Sequence, residues 1–434
     1  MQHIRQDGLS VGRERAFLLG IGQPGGRHSG EHDLDELELL TESAGAVIVD
    51  RALQRRKRID PGYYIGRGKA EEIAERVRSQ DIDVVICDED LSPGQVRNLE
   101  RVIGVKVVDR SELILDIFAS HARTQQARLQ VELAQLEYAL PRLTRMWSHL
   151  NRYEGGIGTR GPGEKQLEVD RRLVQRHIRD LKRDLKGIDE RKLREVRSRR
   201  SFLQVSLVGY TNAGKSTLMN HLTDADVLVE DKLFATLDTR TRKWKLDSHV
   251  AVLLSDTVGF IRKLPHHLVA SFQATLEEAR HADLLLHVVD ASHPEAMAQA
   301  EAVLATLDEI GCHQTPKLTV LNKSDLVVDP VLVHNLRERF REPVLISALT
   351  GDGVDELRNV VAELCSSRMV EVVIEVPAGD GRIHALLASE CRILSQEHDA
   401  QAGRYRVMLR RALIGRLEAM GAVIREEPSG AQSL

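Results

Sequence analysis

The stretch FLQVSLVGYTNAGKS, residues 202–216, joins an apolar run to a glycine-rich turn that ends in lysine and serine. It matches the pattern G-x-x-x-x-G-K-[ST], in which a strand leads into a loop and then a helix, here expected over residues 217–222. Glycines let successive backbone N–H groups face phosphate oxygens, and the start of a helix favours an anion. The stretch therefore predicts a phosphate-binding loop on an α/β fold. The predicted nucleotide contacts in it are Gly209, Tyr210, Thr211, Asn212, Ala213, Gly214, Lys215, Ser216 and Thr217.

The motif predicts specific roles for two side chains of this loop. Lys215 is expected to place its charge on the β- and γ-phosphates, and the Ser216 hydroxyl is expected to ligate Mg²⁺. The alternative is a glycine turn with an exposed lysine, which would bind nothing. The strand–loop–helix context favours the nucleotide site.

A second motif, Asp256-Thr257-Val258-Gly259, directly follows the apolar run 250–254. An aspartate at the carboxyl end of a strand can hold Mg²⁺ through water, and the Gly259 N–H can bond the γ-phosphate. Many GTPases place a glutamine next, to orient the attacking water. Here the residue is Phe260, which offers no hydrogen bond. We therefore predict slow hydrolysis by the isolated protein and stimulation by a partner that orders the site.

A candidate switch loop, FATLDT over residues 234–239, lies between these two motifs. A threonine in such a loop normally ligates the magnesium, so Thr236 is the predicted ligand and Thr239 the alternative. Lys215, Thr236 and Gly259 are the predicted catalytic groups. The predicted nucleotide contacts of the loop are Phe234, Ala235, Thr236, Leu237 and Asp238.

The motif Asn322-Lys323-Ser324-Asp325, after the apolar run 318–321, decides which base is bound. The Asp325 carboxylate can accept hydrogens from N1–H and the 2-amino group of guanine. Adenine presents a lone pair at N1 and no 2-amino group, and a site built for such bonds rejects an analogue that lacks them. Ser347-Ala348-Leu349 fits the last guanine-contacting loop. The motifs occur in order and each ends a strand, so the sequence predicts GTP binding at the carboxyl edge of a sheet.

The rest of the chain divides by its hydrophobic pattern. Residues 1–118 alternate short apolar runs with helical patterns, which predicts crossover units on a parallel sheet. Residues 119–200 predict an antiparallel coiled-coil hairpin with a glycine-rich loop at 151–163, because apolar residues recur every three or four positions. A GTPase domain over 201–370 and a small α+β domain over 371–434 follow. The heptad residues are Leu129, Leu133, Leu136, Leu140, Leu143, Trp147, Leu150, Val174, Ile178, Leu181, Leu185 and Ile188.

Three local expectations accompany this division. Pro141 should kink the first helix of the hairpin. In the last domain we predict a strand near Val372, a helix from Ile383 to Leu394, and a strand from Tyr405. The tail after Gly421 is predicted to be frayed.

Composition limits the class of protein. The 434 residues are 42% hydrophobic, with a formal net charge of -4, which predicts two to four globular domains and argues against a nucleic-acid coat protein. The four cysteines form no C-x-x-C pair, so we expect reduced thiols. No run reaches the length of a membrane span. We predict a cytoplasmic protein that can associate peripherally with a membrane and is a monomer when free.

Basic residues gather toward the loop end of the hairpin: Arg123, Arg128, Arg142, Arg145, Arg152, Arg160 and Lys165. Such a finger could enter an RNA cavity, with arginines on phosphates. A solvated helix face is the alternative, and Trp147 fits a core position. Gly66-Arg67-Gly68-Lys69 opens a helix and could bind an anion, although it is not a complete phosphate loop.

Together, residues 155–164, 209–216, 234–238 and 256–260 resemble the HflX family of translational GTPases, and the order of domains does so over nearly the whole chain. In the family motif Ser216 and Thr236 would ligate magnesium. Thr239 stands where the family usually has proline, a small departure.

The resemblance implies association with the large (50S) ribosomal subunit, its rRNA and protein. It further implies a role in splitting or rescuing stalled ribosomes under stress, or in subunit biogenesis. Some members are reported to bind ATP through the N-terminal domain or to remodel RNA. Two alternatives stay open: an RNA-remodelling ATPase, and a regulatory switch whose hairpin docks a protein partner.

Overall fold

The computed structural model describes residues 14–22, 34–146, 162–198, 203–223, 234, 240–247, 251–262, 278–366, 370–377, 380–398, 402–409 and 411–426. The chain separates into two compact units. The first contains the described residues up to Ile188 together with Phe234, and the second contains the remaining described residues.

The first unit is built on a parallel four-stranded sheet with the order β2-β1-β3-β4. Its central strand β1 is almost wholly buried, which explains its uninterrupted apolar sequence, because helices cover both faces of a parallel sheet. The elements are β1 (Arg15–Gly22), α1 (Asp35–Ser43), β2 (Val47–Arg55), α2 (Arg67–Ser79), β3 (Val84–Cys87), α3 (Pro93–Ile103) and β4 (Lys106–Val108). The predicted crossover pattern is therefore present.

Helix α4 (Arg110–His121) was not expected from the sequence. Leu113, Ile114, Leu115, Ile117 and Phe118 are all buried, so the helix is apolar on several sides. A helix without a polar stripe lacks the periodicity that identifies an amphipathic helix.

The hairpin consists of α5 (Gln125–Met146) and α6 (Pro162–Ser198). Its apolar seam contains Leu133, Ile178, Leu181 and Leu185, as the heptad pattern predicts. The helix α6 already begins at Pro162, which shortens the loop that we expected at 151–163, because proline is tolerated in the first turn of a helix. The rest of that loop and Trp147 lie outside the described residues.

Asp109 ties the hairpin to the sheet of the first unit. It caps α4 by accepting a hydrogen bond from the Glu112 N–H, and it is fully buried. It also accepts bonds from the Leu91 N–H at 3.1 Å, the Tyr138 hydroxyl at 2.5 Å and the Arg142 guanidinium at 2.7 Å. Burial raises the pKa of Asp109, while the nearby Arg142 opposes that shift.

The second unit begins with a six-stranded sheet of order β10-β9-β8-β5-β7-β6. Only β6 is antiparallel to its neighbour, so the sheet is mostly parallel, as the sequence predicts. The elements are β5 (Leu203–Gly209), α7 (Lys215–Thr223), β6 (Arg240–Lys245), β7 (Ala251–Asp256), β8 (Leu284–Asp290), α8 (Ala296–Glu309), β9 (Lys317–Asn322), α9 (Pro330–Arg339), β10 (Val344–Leu345) and α10 (Val354–Ser366).

A β-α-β-β-α-β module follows, with an antiparallel sheet of order β12-β13-β11-β14. The elements are β11 (Val370–Pro377), α11 (Gly381–Glu390), β12 (Arg392–His398), β13 (Ala402–Leu409), α12 (Arg411–Ala419) and β14 (Val423–Glu426). Two expectations were wrong here. The first helix ends at Glu390, so Leu394 lies in β12, and residues 423–426 of the tail pair with β11. The strand β14 depends on β11, a partner distant in sequence that a local pattern does not reveal, whereas β12 pairs with β13, the next strand along the chain.

Within the ranges that the structure describes, no helix has the length and apolarity that crossing a bilayer requires.

Candidate nucleotide site

The predicted motifs meet at the carboxyl edge of the six-stranded sheet. The phosphate loop follows β5, Asp256 ends β7, Asn322 ends β9, and Ser347 follows β10. In an open α/β sheet this edge is where ligands bind. The sequence motifs therefore converge on one site within the second unit.

Asn322 joins the two ends of this site. Its side-chain amide donates to the Ala213 carbonyl at 2.8 Å, and its side-chain oxygen accepts from the Ala348 N–H at 2.9 Å. The residue is buried, so both bonds are shielded from water. One side chain thus fixes the phosphate loop against the loop predicted to contact guanine.

The phosphate loop needs its glycine at position 214. Gly214 has a φ of 89°, which L side chains rarely adopt, and a Cβ there would lie 2.2 Å from the Asn322 side-chain nitrogen. Asn212 also has a positive φ, 59°, a conformation that asparagine tolerates better than most residues. The loop is therefore shaped to bring backbone N–H groups close to an anion.

Lys215 is buried beneath this loop. Its Nζ donates to the carbonyls of Gly209 at 3.1 Å and Tyr210 at 2.7 Å. Burial lowers the pKa of Lys215 to about 8, and the charge of Asp256 acts in the opposite direction. The lysine therefore lies at the loop where its charge can meet phosphate oxygens.

This pKa predicts that nucleotide binding takes up a proton in mildly alkaline solution. Above about pH 8 the free Lys215 is largely neutral, whereas bound phosphates would raise its pKa and restore the charge. We expect GDP binding at pH 9 to take up on the order of one proton and at pH 7.5 a small fraction of one. Calorimetric titration in buffers of different ionisation enthalpy measures this number. Equal uptake at the two pH values would contradict the prediction.

Ser216 and Asp256, two of the predicted magnesium-binding residues, lie side by side. The Ser216 hydroxyl donates to the Asp256 carboxylate at 2.7 Å, and Asp256 is 1% exposed. A hydroxyl and a carboxylate are hard oxygen donors of the kind that Mg²⁺ prefers. The residues present at this position thus fit the predicted ion.

The loop predicted to bind the base is held by its own contacts. The Lys323 Nζ lies 2.7 Å from the Asp290 carboxylate, an ion pair that the sequence motif did not reveal. The Ser324 N–H donates to the Ile346 carbonyl at 3.1 Å. Asp325 is exposed, so its carboxylate is accessible to a ligand.

Two of the three backbone N–H groups at residues 347–349, predicted to contact the oxygen of guanine, already have partners in the protein. The Ser347 N–H donates to the Asp352 carbonyl, and the Ala348 N–H is bonded to Asn322. The Leu349 N–H makes no hydrogen bond with the part of the chain that the structure describes. Leu349 is therefore the donor of this loop that remains available to a ligand.

The residues around Gly259 are packed on the phosphate loop. A Cβ at Gly259 would lie 2.8 Å from the Thr211 Cα and 3.0 Å from the Lys215 Nζ. Phe260 forms a parallel bridge with Tyr210 and is 4% exposed. The Phe260 side chain thus lies in the protein interior. In the same motif, the Thr257 hydroxyl donates a hydrogen bond to the Leu207 carbonyl at 2.7 Å.

The candidate switch loop is described at Phe234 only. This residue is buried in the first unit, where its ring packs edge-on against Phe118 with centroids 4.6 Å apart. The predicted contacts Ala235, Thr236, Leu237 and Asp238, and the alternative Thr239, lie outside the described residues. Phe234, a predicted nucleotide contact, therefore packs against a residue of the first unit.

Two basic motifs of the first unit have internal partners. The Arg67 and Lys69 side chains pair with Glu71 and Glu72 at 2.9 and 2.5 Å on the first turns of α2. Arg142 is bonded to Asp109, so its guanidinium has a partner within the first unit, whereas the sequence led us to expect contact with RNA phosphates or a solvated face. Arg123 and Arg128 are exposed.

Three family models match the chain in sequence order. They describe a GTP-binding GTPase N-terminal region over residues 31–119, a GTP-binding GTPase middle region over 121–200, and a 50S ribosome-binding GTPase over 204–323. Together they cover most of the chain.

Several curated relatives carry the name GTPase HflX. The protein from Lacrimispora saccharolytica is 48% identical over 82% of this chain and 84% of its own length. The Escherichia coli protein is 46% identical over 81% and 84%, and that of Magnetococcus marinus is 44% identical over 95% and 96%. A crystal structure of a GTP-binding protein from Sulfolobus solfataricus in complex with GDP aligns with 82% of this chain and 99% of its own, at 26% identity and a TM-score of 0.44.

Proposed function

Because the chain belongs to the HflX family of GTPases, we propose that its cycle of GTP binding and hydrolysis is coupled to the large (50S) ribosomal subunit. In this proposal the GTP-bound protein binds the subunit, and hydrolysis resets it. The cellular role is to split or rescue stalled ribosomes under stress, or to assist subunit biogenesis. The observation that carries the proposal is the match of residues 204–323 to a 50S ribosome-binding GTPase, a segment that contains the phosphate loop, Asp256 and Asn322 of the candidate nucleotide site.

The reaction is the attack of water on the γ-phosphorus of GTP, which breaks its bond to the bridging oxygen and releases GDP. Charge spreads over the γ-phosphate oxygens in the transition state, so catalysis depends on positioned positive groups and donors. Lys215 lies beneath the loop that would hold these oxygens, and the Gly259 N–H stands beside it. Phe260 is buried and contributes no side-chain hydrogen bond to the water. Slow hydrolysis by the isolated protein follows from this set of groups.

Magnesium is part of the proposal. Ser216, Asp256 through water, and Thr236 would hold it, and Ser216 and Asp256 already lie within hydrogen-bond distance of one another. The ion would neutralise charge on the β- and γ-phosphates. The same two side chains also fix the start of α7 relative to the end of β7.

The hairpin is the part of the first unit that we propose to contact rRNA. Arg123, just before its first helix, and Arg128 within that helix are exposed and suited to phosphates, and α6 presents further exposed basic residues such as Arg172 and Arg183. These charges are partly offset by acidic neighbours on the same helix, such as Glu168 and Asp180. Because arginines that neutralise RNA phosphates release counterions, this contact should weaken as the salt concentration rises.

Sedimentation with purified ribosomal subunits tests the proposal. The protein is expected to pellet with the large subunit in the presence of a non-hydrolysable GTP analogue and to remain in the supernatant with GDP. Added large subunits should also raise the rate of GTP hydrolysis by at least about ten-fold, because a partner that completes the site stabilises the transition state.

A control with small subunits tests whether the effects are specific to the large subunit. Small subunits at the same concentration serve as the control and should give neither effect. Pelleting that does not depend on the nucleotide, or fast hydrolysis without any subunit, would contradict the proposal. If the GTP-bound protein binds a ribosome-free protein and does not bind ribosomal subunits, the result would favour the alternative of a regulatory switch with a protein partner.

A further inference from the structure

The start of the phosphate loop is joined to the residues after Gly259 by three hydrogen bonds. The Phe260 N–H donates to the Gly209 carbonyl at 3.1 Å, and the Thr211 N–H donates to the Phe260 carbonyl at 2.7 Å. The third bond uses a side chain: the Arg262 N–H donates to the Tyr210 hydroxyl at 2.8 Å.

A second contact holds the same segment from the other side. The Arg262 guanidinium donates to the Glu295 carboxylate at 2.8 Å, and Glu295 is the residue before the first turn of α8. Arg262 is therefore fixed through its backbone by Tyr210 and through its side chain by Glu295. Tyr210 is 5% exposed, so its hydroxyl bond is largely shielded from solvent.

These contacts matter because of what Phe260 lacks. Without a side chain there that orients water, hydrolysis depends more on groups such as the Gly259 N–H and Lys215, which can meet the γ-phosphate. A donor stabilises a transition state best when it is already held in position, because no reorganisation is then needed during the reaction. The two backbone bonds could form with almost any residue at position 210, whereas the third requires a hydroxyl.

We propose that Tyr210 is a positioning residue for GTP hydrolysis. Its hydroxyl, together with Glu295, anchors Arg262 and so holds the Gly259 N–H at the place of the γ-phosphate. Position 210 of the phosphate loop thus does more than contribute backbone to the nucleotide. GDP lacks the γ-phosphate, so its binding does not depend on this anchor.

The variant Tyr210→Phe tests this role because it removes the hydroxyl and keeps the ring. The rate of GTP hydrolysis is measured in a single turnover with excess protein and no ribosomes, so the outcome does not depend on the coupling proposed above. We expect the rate to fall about three- to ten-fold, the range set by losing one hydrogen bond. The affinity for GDP should stay within about two-fold of the original.

Tyr405→Phe is the matched control. It removes another hydroxyl, which lies 2.7 Å from a ring nitrogen of His384 in the C-terminal module, and it should leave both quantities unchanged. Glu295→Gln is the second test variant, because it weakens the other anchor of Arg262 without altering the phosphate loop. It is expected to lower the hydrolysis rate by a smaller factor and to leave GDP affinity intact.

The two variants together test whether Tyr210 positions the Gly259 N–H for hydrolysis. A normal rate in both would overturn the proposal, as would a loss of GDP affinity by Tyr210→Phe as large as its loss of rate. The latter result would mean that the tyrosine merely supports the shape of the loop. If Tyr210→Phe fails to fold, the rate and GDP affinity of Glu295→Gln give the answer.

Discussion

Replacing Asp325 with asparagine is expected to lower the affinity for GTP by roughly a hundred- to ten-thousand-fold and to create affinity for xanthosine triphosphate. Of the two charge-assisted hydrogen bonds to the guanine edge, each contributing about 1.5–3 kcal/mol, the one from the 2-amino group would be lost and the one from N1–H would lose its charge assistance. Asparagine retains one acceptor oxygen but presents an NH₂ donor to the 2-amino group of guanine. Xanthine has a carbonyl oxygen at that position, which accepts the donor while its N1–H still meets the amide oxygen.

Competition for a fluorescent GDP analogue measures this change, with GTP, ATP and xanthosine triphosphate as competitors. Asp329→Asn, the same substitution in the same surface region, is the control. Asp329 caps α9 by accepting from the Val331 N–H, so its replacement should affect stability slightly and leave nucleotide choice unchanged. An Asp325→Asn protein that still prefers GTP would show that the base is read elsewhere.

Replacing Gly259 with alanine is expected to slow GTP hydrolysis by at least about a hundred-fold while leaving GDP binding nearly intact. The added Cβ would lie 2.8 Å from the Thr211 Cα, a backbone atom that cannot rotate away. The segment must therefore move off the phosphate loop, and its N–H donor moves with it. Losing one such donor in other hydrolases costs on the order of a hundred- to a thousand-fold in rate.

Gly415→Ala is the control for this second prediction. Gly415 lies in α12, and a Cβ there would meet nothing within 4 Å. It should keep normal hydrolysis, and a helical alanine should stabilise its module slightly. Hydrolysis by Gly259→Ala at the rate of the unmodified protein would show that the segment has room to shift without losing its donor, which would also weaken the role given to Tyr210.

The sequence was most informative where an apolar run ends in a polar motif. Asp256 and Asn322 each end a strand whose apolar residues are buried or half-buried, so both the strand and the site could be predicted together. The strand β6 was missed because its sequence RTRKWK has no apolar run, and Trp244 is its one buried residue. It forms as an edge strand through pairing with β7, which is a contact that no local pattern contains.

The same limit applies to the side chains that complete the site. Asn322 and the Ala213 carbonyl are 109 positions apart, and Arg262 and Glu295 are 33 apart. A motif indicates which residue types meet a ligand, but it does not indicate which of them meet one another. Arg142 illustrates the reverse error, since a basic residue in a charged stretch has a buried partner in Asp109.

The two hydrogen bonds of the Asn322 side chain have a thermodynamic consequence for ligands smaller than a nucleotide. Since this one amide holds both the phosphate loop and the loop of Ala348, ordering either loop should favour the order of the other. Guanosine and pyrophosphate would then strengthen each other's binding by the same factor in both directions, as linkage between two sites requires. In Asn322→Ala the two fragments would bind independently, each indifferent to the presence of the other.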